Sequence, residues 1–462
     1  MPLQGFVDIC SADLVAGWAW NSDQPDVPVP ITIWDGDLLL RTLLAQDFRP
    51  DLQIAGVRTG YCAFRFRVPP RCRDDQTHHV HVRFAATELD LTHSPQSVVW
   101  CGSDRYSDEL GRLLMRSVKR LPWQISSAEF TPEIVRIAGW ALPPRGDTPV
   151  TITLNARPFE RVNLSLPSPD FGDVFFYWPG AESSGFTCET TTPGEVLFQS
   201  GPAVLEYSDA RTGKPLYSFH NFYWPSNLLT CDTLPSGKDM MRVAGHSDRH
   251  IFLQDGYTTF RKIKHVLTQV VGQWPEGETL DWGCGCGRVT RWLIDDDLPG
   301  VRVCGADIDP VNIQWCANHL GSAVFQDISL HPPTPFKDGQ FSVILGMSVF
   351  THLSEPAQFE WLQELRRISK PGGLLLMSVN VDDVMCRVLP TMKLYQDWLK
   401  NGFDATIPDP SLNEVIADKE YYRLSFHTHE YLRNHWAKYF DIVTIIEGFM
   451  SNIQDLVVLR AA

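Results

Sequence analysis

Thr279-Leu280-Asp281-Trp282-Gly283-Cys284-Gly285-Cys286-Gly287-Arg288 is the stretch on which the reading of this chain turns. A short apolar run suited to a buried strand enters three glycines at alternate positions, which lets the backbone turn tightly beneath a ligand. The segment that follows offers the free N–H groups of a helix start. A dinucleotide fingerprint has the spacing G-x-G-x-x-G, and counting from Gly283 puts Arg288 where its third glycine belongs. The spacing here is G-x-G-x-G instead.

Working outward, a second apolar run ends in Gly305-Ala306-Asp307-Ile308-Asp309-Pro310. A carboxylate at that strand end can accept hydrogen bonds from both hydroxyls of a ribose, so Asp307 is the expected ribose ligand. A third run ends in Phe325-Gln326-Asp327-Ile328, where Asp327 can accept from an exocyclic adenine amine while its apolar neighbour lies against the ring. Strands are expected at 279–282, 301–306, 323–326, 341–345 and 374–378. Phe260, Ile263, Leu267 and Val270 mark one helix; Trp361, Leu362, Leu365 and Ile368 mark another, stopping at Lys370-Pro371-Gly372-Gly373. Short apolar runs alternating with amphipathic segments are the pattern of a doubly wound α/β fold with a buried parallel sheet. Two last strands, at 442–446 and 456–459, are joined only by a loop and should pair antiparallel at the sheet edge.

The first half of the chain has another texture. Gly17-Trp18-Ala19 recurs as Gly139-Trp140-Ala141, Pro50-Asp51 as Pro169-Asp170 and Phe64 as Phe186. The offset stays near about 120 residues, as a tandem repeat requires. Alternating stretches such as Ile31-Thr32-Ile33-Trp34 and Val150-Thr151-Ile152-Thr153-Leu154, broken by Pro, Asp and Gly, read as short strands of a sandwich. The expected organisation is multidomain: a β-sandwich-like module at 1–101, a connecting helix at 102–124, a second, related module at 125–225, and the α/β domain at 226–462.

The acidic G-x-G-x-G turn, the aspartates ending the second and third strands and the terminal antiparallel pair together resemble the seven-stranded class I S-adenosylmethionine-dependent methyltransferases, over roughly residues 240 to 462. The resemblance implies S-adenosylmethionine as cofactor, held by Asp281, Gly283, Cys284, Gly285, Gly287, Asp307, Ile308, Asp327, Ile328 and Met347. A nicotinamide dehydrogenase is the main competitor. Ser348-Val349-Phe350-Thr351-His352-Leu353-Ser354-Glu355 and the closing Gln454-Asp455-Leu456-Val457-Val458-Leu459 look like methyltransferases that accompany bacterial surface-glycan synthesis. Gly17-Trp18-Ala19-Trp20, Asp35-Gly36 and Phe48-Arg49-Pro50-Asp51-Leu52 resemble modules attached to glycan-modifying enzymes. This narrower resemblance implies O-methylation of a sugar of a lipopolysaccharide or other surface polysaccharide, with the modules positioning the glycan or a glycan-synthesis enzyme. A small-molecule or protein acceptor, and a scaffold that binds without turnover, stay open beside it.

Composition narrows the partners. The net charge of −15, with no dense Lys/Arg block, would repel a polyanionic backbone, so nucleic acid is not an expected partner. The 11 cysteines form no repeated Cys-x-x-Cys pairs and read as reduced thiols. The N-terminus has no signal-peptide pattern and no segment is apolar for a membrane-spanning length, so a cytoplasmic location is expected.

Transfer of a methyl group to a hydroxyl needs a base within hydrogen-bond reach. His352 is the leading candidate, just beyond the fourth strand at the carboxyl edge of the sheet. His427 and His429, with Tyr421 and Tyr422, form a second cluster. Other features invite blander readings. Cys284 and Cys286 are explained by the glycine turn, and no metal is expected there. His78, His79 and His81 sit in a strand that splits neighbours between faces. Asp295-Asp296-Asp297 reads as a solvated helix end. Trp18, Trp20 and Trp140 fill a sandwich core more readily than they stack on sugars. The stretch 381–427 carries no recognised motif.

Overall fold

The computed structural model describes all residues other than 1, 12–13, 26, 55, 58–59, 69–71, 73–75, 86, 88, 101–107, 118–120, 145–147, 193, 200, 217–220, 297, 382–391, 414 and 451–452. Asp297, residues 102–107 and 118–120 of the expected connecting helix and residues 382–391 of the 381–427 stretch therefore lie outside the described residues, and the helix expected to reach 124 gives way to a strand from Trp123. The chain divides into two compact units, Met1–Ser107 and Asp108–Ala462.

In the first unit, strands Leu3–Cys10, Leu14–Asn21, Tyr61–Arg67 and Asp47–Phe48 form one sheet in that order. Leu38–Ala45, Val29–Asp35, Thr77–Phe84 and Gln96–Val99 form the other. Both sheets are antiparallel and bury alternate side chains in one core, Val15, Phe64 and Phe66 from the first, Ile31, Ile33, Val80 and Val82 from the second.

After the helix Asp108–Ser117, the second unit repeats this order strand for strand. Its sheets run Trp123–Phe130, Val135–Ala141, Gly185–Thr190, Arg161–Leu166 and Arg157–Pro158, Val150–Leu154, Ala203–Asp209, Phe222–Trp224. The repeated glycines share one physical cause. A Cβ on Gly17 would sit 2.1 Å from the Phe6 carbonyl oxygen and 2.9 Å from the Phe64 ring; on Gly139, 2.1 Å from the Gln124 oxygen and 2.8 Å from Phe186. The repeated tryptophans depart from expectation. Trp18 and Trp20 turn away from the sandwich core and lie half-buried against Leu52, Cys62 and Ala63, because the inward positions of their strand go to Val15 and Ala19. Trp140 is buried, stacked 4.2 Å from Phe171 and clustered with Phe175 and Trp178. The three histidines have separate partners: Asp35 for His78, Ser97 for His79 and Asp90 for His81.

The remaining sheet is nine-stranded. Numbered along the chain its strands are β1 (Gly277–Trp282), β2 (Val301–Asp307), β3 (Val324–Asp327), β4 (Phe341–Gly346), β5 (Ser369–Asn380), β6 (Phe403–Pro408), β7 (Arg423–His427), β8 (Asp441–Met450) and β9 (Gln454–Arg460). The order β3-β2-β1-β4-β5 is parallel; β9 lies antiparallel to β5 and carries β8 beyond it. The seven expected strands are joined by the hairpin β6–β7, which meets β5 at Asn380 and Phe426.

Both faces of this sheet are buried, which explains its nearly unbroken apolar strands. Ile344, Leu375 and Met377 face a core with Trp361, Leu362 and Leu365 of the helix Glu355–Ile368. Val343, Leu345, Leu374 and Leu376 face the opposite core, with Phe252, Phe260, Ile263 and Leu267 of the helix Arg249–Val271. That second core continues without a break into the β-module through Trp123, Phe130, Phe222 and Trp224. Polar contacts reinforce the join: the Tyr223 N–H donates to Thr258 Oγ1 at 2.9 Å, and His250 Nδ1 lies 2.9 Å from the Ala128 oxygen. The second module and the α/β domain thus share one core.

Candidate functional site

A cavity of about 350 Å³ opens at the carboxyl edge of β1, β2 and β4. Gly283, Gly285 and Gly287 have φ of 76°, 53° and 75°, a left-handed path that only glycine follows without strain. The close fit is as restrictive as the angles: a Cβ on Gly283 would meet Val349 at 2.4 Å, and one on Gly285 would meet Val243 at 3.0 Å. Beneath the turn the buried Asp281 accepts a hydrogen bond from Thr290 Oγ1 at 2.6 Å. Burial pushes its carboxyl up to about 6, against the pull of the Thr290 hydroxyl.

Asp307 is locked in place by backbone donors. Its Oδ2 accepts from the Gly285 N–H at 2.7 Å and its Oδ1 from the Asp309 N–H at 2.9 Å. Burial raises its pKa while those N–H groups oppose the rise. A carboxylate has about four lone-pair sites, so two stay available to a ligand. Asp309 caps the helix Pro310–His319 by accepting from Val311 N–H at 2.9 Å and pairs with Arg242. Arg242 and Val243 come from the helix Gly237–Ala244, which lines the near side of the cavity. Arg288 pairs with Asp255 on the long helix.

Most of the expected site residues line this one cavity: Asp281, Gly283, Cys284, Gly285, Asp307, Ile308, Ile328, Met347 and His352. Two do not. Gly287 lies behind the turn, where a Cβ would strike Leu320 at 2.4 Å, so its role is to let the helix Pro310–His319 pack. Asp327 is exposed at the end of β3, near Gln326 Nε2 at 3.3 Å, and Ile328 takes the cavity-facing position beside it.

His352 ends a short 3-10 turn, Phe350–His352, after β4. Its Nδ1 lies 3.2 Å from Asp409 Oδ2, and its ring stacks on Tyr422 with centroids 4.2 Å apart and planes at 10°. Burial would raise the pKa of Asp409, but the imidazole and the Ser411 N–H outweigh it and hold the carboxyl at about 2. Burial pushes the Tyr422 hydroxyl well above its ordinary range. The second cluster separates. His427 is buried away from the cavity with Nε2 2.9 Å from Gln358 Oε1, and burial lowers it to about 3. His429 Nε2 is 2.6 Å from Asp455 Oδ2. Tyr421 and Tyr422 line the cavity.

Arg242, Asp309 and Asp409 were not among the expected site residues. The aspartates carry a shared local signal: Asp309-Pro310 and Asp409-Pro410 both start helical turns, each carboxylate accepting from the N–H two residues on at 2.9 Å. That signal marks a cap without showing what the other oxygen faces. Among the described residues no group of three or more His, Cys, Asp or Glu is placed to hold a metal ion, and no helix is long and apolar enough to cross a membrane.

The donor set suits a sulfonium nucleoside: a glycine cradle, a fixed carboxylate and the apolar side chains of Ile308, Ile328 and Met347. Comparison with known proteins agrees. Residues 280–377 match the family model described as a methyltransferase domain. The ubiquinone biosynthesis O-methyltransferase of Caulobacter vibrioides is 31% identical over 109 residues, 22% of this chain and 41% of that protein. The chain therefore spans about 41% of that relative's length. Similar solved structures include the PH0226 protein of Pyrococcus horikoshii, with 19% identity, 45% of this chain and 92% of that one covered, and a TM-score of 0.32. A SAM-dependent methyltransferase of Methanosarcina mazei has 20% identity, 42% and 96% coverage, and a TM-score of 0.31. TM-scores this low carry no argument. The matched family and the site geometry do: the chain carries a methyltransferase domain, and S-adenosylmethionine is its cofactor.

Proposed function

We propose that the protein is an O-methyltransferase acting on a sugar hydroxyl of a lipopolysaccharide or other surface polysaccharide. The observation that carries this reading is the convergence of the glycine turn, Asp307 and His352 on one cavity. S-adenosylmethionine supplies an electrophilic methyl group when bound. Gly283 and Gly285 would give it a surface without side chains, Asp307 would take the ribose hydroxyls, and the apolar side chains of Ile308, Ile328 and Met347 would lie against the faces of its adenine ring.

The chain's own work is to hold the acceptor in line and remove one proton. A sugar hydroxyl does not ionise unaided at neutral pH, so a base within reach contributes roughly 10²–10⁴-fold. His352 accepts that proton at Nε2, the ring nitrogen that does not face Asp409. A volume of about 350 Å³ is near the lower end of ligand sites, roughly 300–1,000 Å³. The β-modules then hold the glycan or a glycan-synthesis enzyme.

A small-molecule hydroxyl acceptor is the second reading, favoured by the name of the Caulobacter relative, an O-methyltransferase of ubiquinone biosynthesis. Calorimetric titration with S-adenosylmethionine and NADH, followed by transfer from methyl-labelled cofactor to surface polysaccharide or to small phenols, separates the readings. Binding of the methyl donor and label in the polysaccharide support the proposal. Label in phenols alone moves the acceptor class, donor binding without transfer favours a scaffold, and binding of NADH alone sinks the enzyme class.

A further inference from the structure

His352 is surrounded by features that a lone solvent-facing histidine would not need. The hairpin β6–β7 delivers Asp409 just after β6 and Tyr422 just before β7. Three backbone ties fix this delivery. The Asp409 N–H donates to the Tyr422 oxygen at 2.9 Å, Tyr422 forms a bridge with Leu353, and the His352 N–H donates to the Val349 oxygen at 3.0 Å. One carboxylate oxygen of Asp409 is consumed in capping, since Oδ1 accepts from the Ser411 N–H at 2.9 Å. The other, Oδ2, is left 3.2 Å from His352 Nδ1. That nitrogen is buried and has no other hydrogen-bond partner, which leaves Asp409 Oδ2 as the acceptor at hand.

The other charged groups lining the cavity leave Asp409 as the ion facing this imidazole. Arg242 pairs with Asp309, Arg288 with Asp255, Asp307 accepts from two N–H groups, and Asp281 from Thr290. Tyr422 meets the imidazole face to face and restricts its plane from one side.

We propose, resting on the O-methyltransferase reading, that Asp409 is a positioning residue for His352: its carboxylate fixes the neutral imidazole with the proton on Nδ1 and the lone pair on Nε2. Tyr422 acts as the wall against which the ring is held. Which nitrogen of a histidine carries the proton is set by the hydrogen bond the other makes. A base with its proton on the wrong nitrogen cannot accept one where the acceptor lies, which is why an oriented base generally needs a third group behind it.

The test needs no acceptor. Nitrogen-15 spectra of histidine-labelled protein, with His352 assigned by its loss in His352→Gln, report the tautomer of the neutral ring. The wild-type chain should show Nδ1–H as the dominant form. Asp409→Ser keeps a capping oxygen for the Ser411 N–H but is too short to reach the ring. In that variant Nε2–H should become dominant while the affinity for S-adenosylmethionine stays within about threefold, well under the tenfold that 1.4 kcal/mol would give. A dominant Nε2–H form in the wild type, or a tautomer that Asp409→Ser leaves unchanged, overturns the proposal; the wild-type spectrum decides even if the variant does not fold. Absence of methyl-donor binding by the wild type would overturn the enzyme reading and leave the tautomer result standing on its own.

Discussion

The two halves of the cavity are put together by different means. The cofactor half is nearly contiguous chain: Asp281 to Gly285 form one turn, and Asp307 and Ile308 end the neighbouring strand. The acceptor half brings His352 from the end of β4 together with Asp409 and Tyr422 from a hairpin inserted after β5. The first half is held by backbone conformation and its own N–H groups. The second depends on what supports the hairpin. Phe426 of β7, with Tyr395 and Trp398 of the helix Met392–Asn401, is buried in one cluster with Trp140, Phe175 and Trp178 of the second β-module. The difference teaches that the second module has become a structural part of the α/β domain, whereas the first, with the same strand order, has a core of its own.

The comparison breaks most visibly if the chain is cut at the boundary the sequence suggests. A chain of residues 226–462 loses Trp123, Phe130, Phe222 and Trp224 from the core beneath the helix Arg249–Val271. It is expected to show no cooperative thermal transition, while residues 108–462 melt in a single transition and bind S-adenosylmethionine as the whole chain does. Cooperative folding of the shorter chain would mean that the shared core is dispensable. Point changes sharpen the contrast between the repeats. Trp140→Ala removes a buried indole and should cost about 3–5 kcal/mol in denaturant titration. Trp18→Ala removes a half-buried one and should cost about 1–2 kcal/mol, leaving methyl-donor affinity untouched. Equal losses at the two positions would erase the distinction.

What could be read in advance follows the same division. The glycine turn, Asp307 and the strand pattern are local: positive φ at alternate residues demands glycine, and buried parallel strands demand apolar runs, so both leave marks in neighbouring letters. The repeat was legible because Gly17 and Gly139 each meet a neighbouring strand's carbonyl and a phenylalanine ring at equivalent positions, Phe6 and Phe64 in one module and Gln124 and Phe186 in the other. Asp409 was not legible, because its Asp-Pro step reports only a capped turn and the oxygen that faces His352 is set by tertiary contact. The orientation of Asp327 was not legible for the matching reason: strand alternation places a carboxylate near β3's end without fixing which neighbour lines the cavity, and Ile328 does while Asp327 is exposed. Trp18 and Trp20 lie two residues apart on one strand face, but which face meets the core depends on register, and a one-residue change of register exchanges the faces.

Binding measurements sharpen the two halves next. Asp307→Ala removes a carboxylate that holds the Gly285 N–H and faces the cavity. Hydrogen bonds to a charged group are worth about 1.5–3 kcal/mol, so methyl-donor affinity should fall by about 10- to 150-fold in calorimetric titration. Asp327→Ala, outside the cavity, should change it by less than about threefold. The reverse order of effects would return the adenine contact to Asp327 and remove Asp307 from the ribose.

A last expected effect is a pair of opposite pH slopes, one from each half. Asp409 is held at about 2, below its ordinary 3.8, so the unfolded chain keeps this proton to higher pH than the folded one. Stability from Asp409 is therefore present above about pH 4 and lost as the pH falls toward 2. Asp281 is pushed up to about 6, so here the folded chain keeps the proton longer. Its ionisation in a buried site costs stability as the pH rises from about 4 to 6. Each contribution is on the order of 2 kcal/mol, since one pKa unit corresponds to about 1.4 kcal/mol and partial exposure weakens the Asp409 term. Urea titrations from pH 3 to 7 should show that Asp281→Asn, which keeps an acceptor for Thr290, flattens the decline between pH 4 and 6, while Asp409→Asn flattens the acid limb instead. If either substitution acts on the other's limb, the carboxylates are coupled through the cavity and its two halves titrate as one site.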